Sequence, residues 1–169
     1  MRQLCADAND GIIGTAGVLQ GFSGAGGSAR TLIVAAVSTM IAGSVAQFGA
    51  QFAQDSAERD AQVRLIEEEA ASIAADPSAE IAELAARFTD RGVPPDLAHE
   101  VAEDMHEHDP LGAQLEQEYG IQELMSRLAP VLSGLRAALG FALGSALPLV
   151  VLLLYPPAWE SRVLFAAVV

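Results

Sequence analysis

Formal charges are segregated along this sequence, and this segregation limits the fold more than any other feature. Residues 1–54 carry four charged side chains and residues 129–169 carry three, whereas residues 55–128 carry 19 acidic side chains against five arginines, a balance of −14. Since 51% of the chain is hydrophobic, an ordinary soluble domain would mix these features along its length. The apolar–acidic–apolar order predicts an integral membrane protein with one extramembrane module.

The charge balance also limits the partners. The net charge is −13, and all nine basic residues are arginine. Because phosphate groups repel such a chain, we expect no nucleic acid partner. A negative field instead favours cations, either metal ions or basic proteins. Cys5 is the single cysteine, which excludes an intrachain disulfide.

Three apolar stretches approach the roughly 20 residues that a helix needs to cross a hydrocarbon core. Residues 31–52 are uncharged, and residues 135–155 carry only Arg136, at one edge. Residues 12–25 reach the required length only by including residues 6–11 with their acids. For this first stretch, a cleaved signal peptide is the alternative to a membrane helix.

The second and third stretches contain runs of small residues, which let membrane helices approach closely. Pro148 lies inside the third stretch and predicts a kink, and Pro156 and Pro157 predict its end. A further apolar run covers residues 163–169, which is too short to span a bilayer. We therefore expect the chain to stop partway into another membrane helix.

The acidic middle section predicts helices. Residues 55–75 contain no glycine or proline and keep apolar residues at helical spacing. Asp-Pro pairs at residues 76–77 and 109–110 each combine an N-cap with proline at the first helical position, and Gly92 and Gly120 are C-terminal stop signals. The predicted helices cover residues 55–75, 77–91, 95–108 and 110–120.

These patterns predict an all-α membrane protein without strands. Its predicted domains are residues 1–54 with two membrane helices, residues 55–128 as the acidic module, and residues 129–169 with a third membrane helix and the start of a fourth. Arg2 precedes the first span, and further arginines flank the module, at Arg59, Arg64, Arg127 and Arg136. The positive-inside rule then predicts a multi-pass cell-membrane protein whose N-terminus and acidic module are cytoplasmic.

Four polar residues lie in or beside the predicted spans: Asp7, Asp10, Gln47 and Gln51. An ionisable group at membrane depth is costly and tends to mark an ion path or a proton relay. The alternative is that both aspartates lie at the interface and cap a helix. The two glutamines lie one turn apart and indicate either a polar path or hydrogen bonds between helices.

The module places carboxylates three or four residues apart, a spacing that lets them share a helix face and one divalent cation. These residues are Glu67, Glu68, Glu69, Glu80, Glu83, Glu100, Glu103, Glu107, Glu116 and Glu118. Glu103 and His106 have the Glu-x-x-His spacing of carboxylate-bridged di-iron bundles, which need a second copy. A solvated helix face is the alternative for both sets.

The string Ala8-Asn9-Asp10-Gly11-Ile12-Ile13 resembles the first-span signature of the vacuolar iron transporter family, whose bacterial members carry Asn-Asp-Gly-Ile-Val there. The resemblance continues in order over nearly the whole chain. The segments that carry it include Ala42-Gly43-Ser44, Ser56-Ala57-Glu58-Arg59-Asp60, Arg91-Gly92-Val93-Pro94, Glu118-Tyr119-Gly120-Ile121 and Phe141-Ala142-Leu143-Gly144-Ser145-Ala146-Leu147-Pro148.

This resemblance implies a homodimeric, proton-coupled transporter of iron(II) or manganese(II), with the metal as substrate and no tightly bound cofactor. It implies that Asp10 lines the translocation path at the dimer interface. It also implies that a cytoplasmic helical module gathers metal ions on glutamates. By position, these glutamates correspond to Glu67 or Glu68, Glu80, Glu83 and Glu118.

The chain departs from the family pattern in three places. The second span of the family typically reads Ser-Met-Ala-Ala-Gly-Glu-Tyr, and here Gln47 stands at the methionine and Gln51 at the glutamate. The loss of a soft sulfur and of a charge should weaken iron(II) affinity and proton coupling. Gln114 and Leu115 fall where some members place methionines. Members have five spans, against three and a fragment here.

The predicted function is therefore divalent metal transport across a lipid bilayer, in which module carboxylates capture the ion and release it past Asp10 between two protomers. The alternative is a membrane protein that binds or buffers metal without transporting it, which Gln47 and Gln51 favour. A ferroxidase built on Glu103 and His106 would need a second Glu-x-x-His copy, and the sequence has one. We therefore expect no enzymatic activity.

Overall fold

A computed structural model describes residues 2–121 and 123–154, which form helices and no strand. The helices are α1 (Arg2–Gly24), α2 (Ala29–Ala75), α3 (Pro77–Asp90), α4 (Pro95–His108), α5 (Pro110–Tyr119) and α6 (Ala129–Leu154). The chain divides into two compact units. We call Ala57–Ser126 the helical unit and the remainder, on both sides of it, the terminal unit. The all-α prediction is confirmed for the described residues.

Helix α2 is longer than the sequence patterns predicted. A span over residues 31–52 and a separate helix from residue 55 were expected, but α2 is one helix of 47 residues. Its continuity has a local cause, because no glycine or proline occurs between Gly49 and Asp76 to interrupt the backbone hydrogen bonds. The boundary between the two units falls inside this helix.

Among the described residues, α2 and α6 are long and apolar enough to cross a membrane. Helix α1 forms as expected and begins as early as Arg2, but it does not meet the same criterion, so its predicted span stays a prediction. Helix α6 continues through Pro148 to Leu154. The predicted stop at Pro156 and Pro157 and the apolar run at 163–169 lie outside the described residues.

In the terminal unit, α1 packs against α6 at backbone distance. A Cβ atom on Gly11 would collide with the carbonyl oxygen of Phe141, and one on Gly144 with that of Ala8. The Ser145 hydroxyl donates to the Gly11 carbonyl at 3.3 Å. These contacts realise the close approach that the small residues predicted. At the other end of these helices lies an apolar core formed by Leu19, Leu32, Ala36 and Leu152.

In the helical unit, the predicted starts and stops lie where the local signals place them. The Asp76 carboxylate accepts from the Ala79 N–H at 3.1 Å, and the Asp109 carboxylate accepts from the Gly112 N–H at 3.0 Å. Gly120 ends α5 with a left-handed φ of 67°, a conformation that glycine adopts without strain. The core of the unit comprises Leu84, Ala85, Ala102 and Ala113.

Candidate metal-binding site

Four glutamates and one arginine interact in the helical unit. Glu69 belongs to the last part of α2, Glu80 and Glu83 to α3, and Glu118 to α5, and Arg87 lies one turn after Glu83. We call these five side chains the carboxylate cluster. Three carboxylates act on the fourth, because their charges raise the pKa of Glu69.

Glu69 is the most deeply placed carboxylate of this cluster. Its side chain is only 7% exposed, and its buried Oε1 has no hydrogen-bond partner. The pKa of Glu69 is raised, first by burial and then by the charges of Glu80, Glu118 and Glu83, while Arg87 opposes the shift. A buried carboxylate oxygen without a partner is costly. It would therefore gain from an added cation.

Glu80 is held in place by hydrogen bonds from two other elements. The Ser72 hydroxyl donates to Glu80 Oε1 at 2.5 Å. Gln114 Nε2 donates to Glu80 Oε2 at 3.0 Å and to the Glu80 backbone carbonyl at 2.8 Å. Gln114 is 1% exposed, and its own Oε1 is buried without a partner. The hydrogen bonds between Gln114 and Glu80 fix α5 against α3. Gln114 Oε1 is the second buried oxygen, after Glu69 Oε1, that lacks a partner here.

Arg87 bridges the remaining two glutamates. Its Nη2 lies 2.9 Å from Glu83 Oε1 and 2.9 Å from Glu118 Oε2. Tyr119 interacts with the same edge, because a hydrogen bond to Glu118 and then burial raise the pKa of Tyr119 to about 12. The cluster therefore has four carboxylates against one internal cation. Oxygen donors of this kind suit hard divalent cations.

The carboxylates are close but not assembled around a single point. Among the described residues, no three His, Cys, Asp or Glu side chains stand together in a way that could hold a metal ion. Two of the four carboxylates point at Arg87, and a third is bound by Ser72 and Gln114. Metal binding at this site would therefore require side chains to move.

The terminal unit contains a second polar region, a cavity of about 480 Å³. It is lined by Gln3, Leu4, Asp7, Gln51, Ser133, Arg136 and Ala137. Asp7 is 3% exposed and accepts from Gln3 Nε2 at 3.2 Å. Gln51 Nε2 donates to Asp55 Oδ1 at 2.7 Å, and the Ser133 hydroxyl donates to Asp55 Oδ2. This cavity joins polar groups from α1, α2 and α6.

Comparison with known proteins identifies the family of the chain. The model of the VIT family matches residues 1–169. The chain belongs to the VIT family. It is also similar to a protein named vacuolar iron transporter from Acanthamoeba castellanii, with 27% identity over 154 residues, covering 91% of the chain and 56% of the relative. The chain thus spans about half the length of this curated relative. The resemblance predicted from sequence is confirmed.

In this VIT-family chain, some of the predicted module glutamates lie in the carboxylate cluster and others are exposed. Glu80, Glu83 and Glu118 belong to the cluster, whereas Glu67 and Glu68 are exposed and their neighbour Glu69 is buried. A signal for Glu69 is present in the sequence. Glu69 lies three residues after Ile66 and four before Ile73, which places all three on one helix face. Sequence reasoning missed Arg87 and Ser72 as cluster partners, and it named Gln114 only as a departure from the family pattern.

The predicted Glu103 and His106 pair lies elsewhere on this VIT-family chain. Glu103 contacts His99, with Nε2 and Oε1 3.4 Å apart, and both side chains are more than half exposed. His106 is partly exposed, one turn along α4. Within the described residues no metal-holding group forms here, and metal binding by Glu103 and His106 stays a prediction.

The predicted path residues also separate. Asp7 and Gln51 line the 480 Å³ cavity, whereas Asp10 is exposed on α1 and Gln47 is partly exposed on α2. Neither of the latter two lines this cavity. Asp55, Ser133 and Arg136 were not predicted as part of the polar region, because their proximity depends on the packing of α2 against α6.

Proposed function

We propose that this VIT-family chain transports a divalent metal ion across a membrane, with the carboxylate cluster as the site that captures the ion. The observation that carries the proposal is the buried Glu69 oxygen that lacks a partner beside three further carboxylates. Such an oxygen gains most from a cation that replaces the lost hydration. Family membership supports transport, and the name of the Acanthamoeba relative supports iron.

We further propose iron(II) or manganese(II) as the substrate. Carboxylate and amide oxygens bind both ions, and no thiolate or thioether sulfur is among the cluster residues. The helical unit and the N-terminus are cytoplasmic in this proposal, as the arginine distribution indicates. Captured ions then pass Asp10 between two protomers of a homodimer in exchange for protons.

The path through the terminal unit is proposed to include Asp7, Asp10, Gln47 and Gln51. Asp7 and Gln51 support this because they line one cavity, and a buried aspartate in a membrane protein is expected to serve an ion or proton path. Asp10 is exposed on the single chain. That exposure suits a residue that a second protomer covers.

The test is metal flux into sealed liposomes that contain the full chain, measured separately for manganese(II) and iron(II). We expect flux to be lost in Asp10→Ala and strongly reduced in Glu69→Gln and in the double variant Glu80→Ala/Glu83→Ala. Asp60→Asn is the matched control, because it removes an exposed carboxylate from the same helix at a position outside the predicted site. Equal flux in Asp10→Ala and the unmodified chain would exclude the proposed path.

A metal-binding protein without transport is the second candidate, and one observation favours it. Gln47 and Gln51 are uncharged, and Gln51 Nε2 donates a hydrogen bond to the Asp55 carboxylate. In this case the chain would bind manganese(II) in detergent with a dependence on Glu69, and the liposomes would show no flux. The same variants thus separate the two functions.

A further inference from the structure

Arg87 occupies the position from which a metal ion would contact two of the proposed ligands. Its single Nη2 atom lies 2.9 Å from an oxygen of Glu83 and 2.9 Å from an oxygen of Glu118. These carboxylates come from different helices, α3 and α5. One arginine nitrogen therefore bridges two elements as a cation shared between them.

A guanidinium and a divalent ion that bind the same two carboxylates oppose each other, because both are cations drawn to the same negative charge. Arginine has five N–H donors and no lone pair to offer a metal, and its positive charge repels an ion a few ångströms away. While Arg87 bridges the two glutamates, those oxygens are directed at its nitrogen. This agrees with the lack of an assembled three-ligand group in the described residues.

The arginine is held weakly enough to be displaced. Its side chain is 30% exposed, as against 53% for Glu83 and 20% for Glu118, and partly exposed ion pairs contribute little. Its Nε is buried without a hydrogen-bond partner, so the guanidinium is not fully satisfied in this position. The Glu69 oxygen beside it also lacks a partner. Arg87 therefore leaves part of the negative charge of the cluster unneutralised.

We propose that Arg87 is an internal competitor for the metal: it neutralises Glu83 and Glu118 in the metal-free chain and must leave before both can bind an ion. This inference rests on the cluster being the capture site. Arg87 then sets the metal affinity without being a ligand. A chain without this arginine binds the same ion more tightly, because the ion no longer displaces a competing cation.

The expected effect follows from the exposure of the two ion pairs. Breaking partly exposed pairs costs up to about a factor of ten in an equilibrium constant. We therefore expect Arg87→Gln to lower the dissociation constant for manganese(II) by roughly three- to tenfold. Arg87→Lys keeps the charge and should tighten binding less than Arg87→Gln does, because an ammonium group still competes for the carboxylates but is more strongly hydrated than a guanidinium.

The experiment is a manganese(II) titration of the full chain in detergent, with unbound manganese measured by electron paramagnetic resonance. Arg91→Gln is the matched control, since Arg91 donates to Gln117 at 2.8 Å on the exposed surface of the same unit and its removal changes the net charge equally. Arg87→Met is a second variant that preserves the apolar stem of the side chain. It carries the test if Arg87→Gln does not fold.

Tighter binding in Arg87→Gln or Arg87→Met, with Arg91→Gln unchanged, supports the inference. If the unmodified chain binds manganese(II) and both Arg87 variants bind it equally or more weakly, the inference is overturned and the proposed function stays intact. Equal tightening in Arg91→Gln also overturns it, because net charge alone would then explain the effect. Absence of binding in every chain overturns both the inference and the capture site.

Discussion

Replacing Gly144 with alanine tests the close packing of α1 against α6. The added Cβ would collide with the backbone carbonyl of Ala8, and a backbone atom cannot rotate away as the end of a side chain can. The helices would have to separate along a contact that also includes the hydrogen bond from Ser145 to the Gly11 carbonyl. We therefore expect Gly144→Ala to destabilise the terminal unit.

A second glycine, Gly17, provides the reference for the size of the destabilisation. Gly17 has nothing within 4 Å of a built Cβ, so Gly17→Ala adds the same methyl group to a helix without a collision. The intrinsic preference for alanine over glycine in a helix, about 0.5–1 kcal/mol, applies at both positions and cancels in the comparison. What remains is the overpacking cost at Gly144, about 1–3 kcal/mol.

The assay is unfolding of the full chain in mild-detergent micelles by added sodium dodecyl sulfate, followed by circular dichroism. We expect Gly144→Ala to be less stable than Gly17→Ala by about 1–3 kcal/mol. Two variants that agree within about 0.5 kcal/mol, the usual effect of a harmless substitution, would refute the inferred backbone contact between α1 and α6.

Three further predictions concern the helical unit. Gln114→Ala should lower the free energy of unfolding by about 1–3 kcal/mol, because the buried Glu80 oxygens lose their donor. Gln117→Ala should lower it by less than about 0.5 kcal/mol, and denaturant titration compares the two variants. Because the pKa of Glu69 is raised, its protonation stabilises the fold at low pH, and this stability is lost as pH rises through the raised pKa. The melting temperature should therefore increase more on acidification in the unmodified chain than in Glu69→Gln. In Tyr155→Phe, the phenolate absorbance of Tyr119 should develop with a midpoint of about 12, and the stability from its neutral form should be complete below 10 and disappear as pH rises through 12.

Local signals predicted the helical unit well because its helix ends are decided within a few residues. Asp76 and Asp109 each cap a helix through a backbone N–H three residues later, and this contact is visible in the sequence as aspartate followed by proline. Helix α2 shows the converse. Its predicted interruption near residue 54 rested on the change from apolar to acidic composition, which alters what surrounds a helix without breaking its hydrogen bonds.

The cluster partners were harder to predict because they meet across elements. Glu67, Glu68 and Glu69 are indistinguishable by composition, and only the helix face shared with Ile66 and Ile73 selects the third. The contact between Arg87 and Glu118 joins residues of α3 and α5, and no spacing rule relates them. Family resemblance predicted a carboxylate site in this module, but the packing of the helices determines which oxygens are buried.

Burial is what separates Glu69 from the other acidic side chains of the helical unit. Exposed carboxylates attract cations over a distance of about 8 Å at physiological ionic strength, so they raise the local concentration of every cation without choosing among them. Glu69 instead has an oxygen removed from water and left without a partner. A cation that reaches this oxygen can replace its lost hydration. In the proposed function, the acidic surface therefore attracts cations, and the buried cluster, with Arg87 as its internal cation, sets the metal affinity.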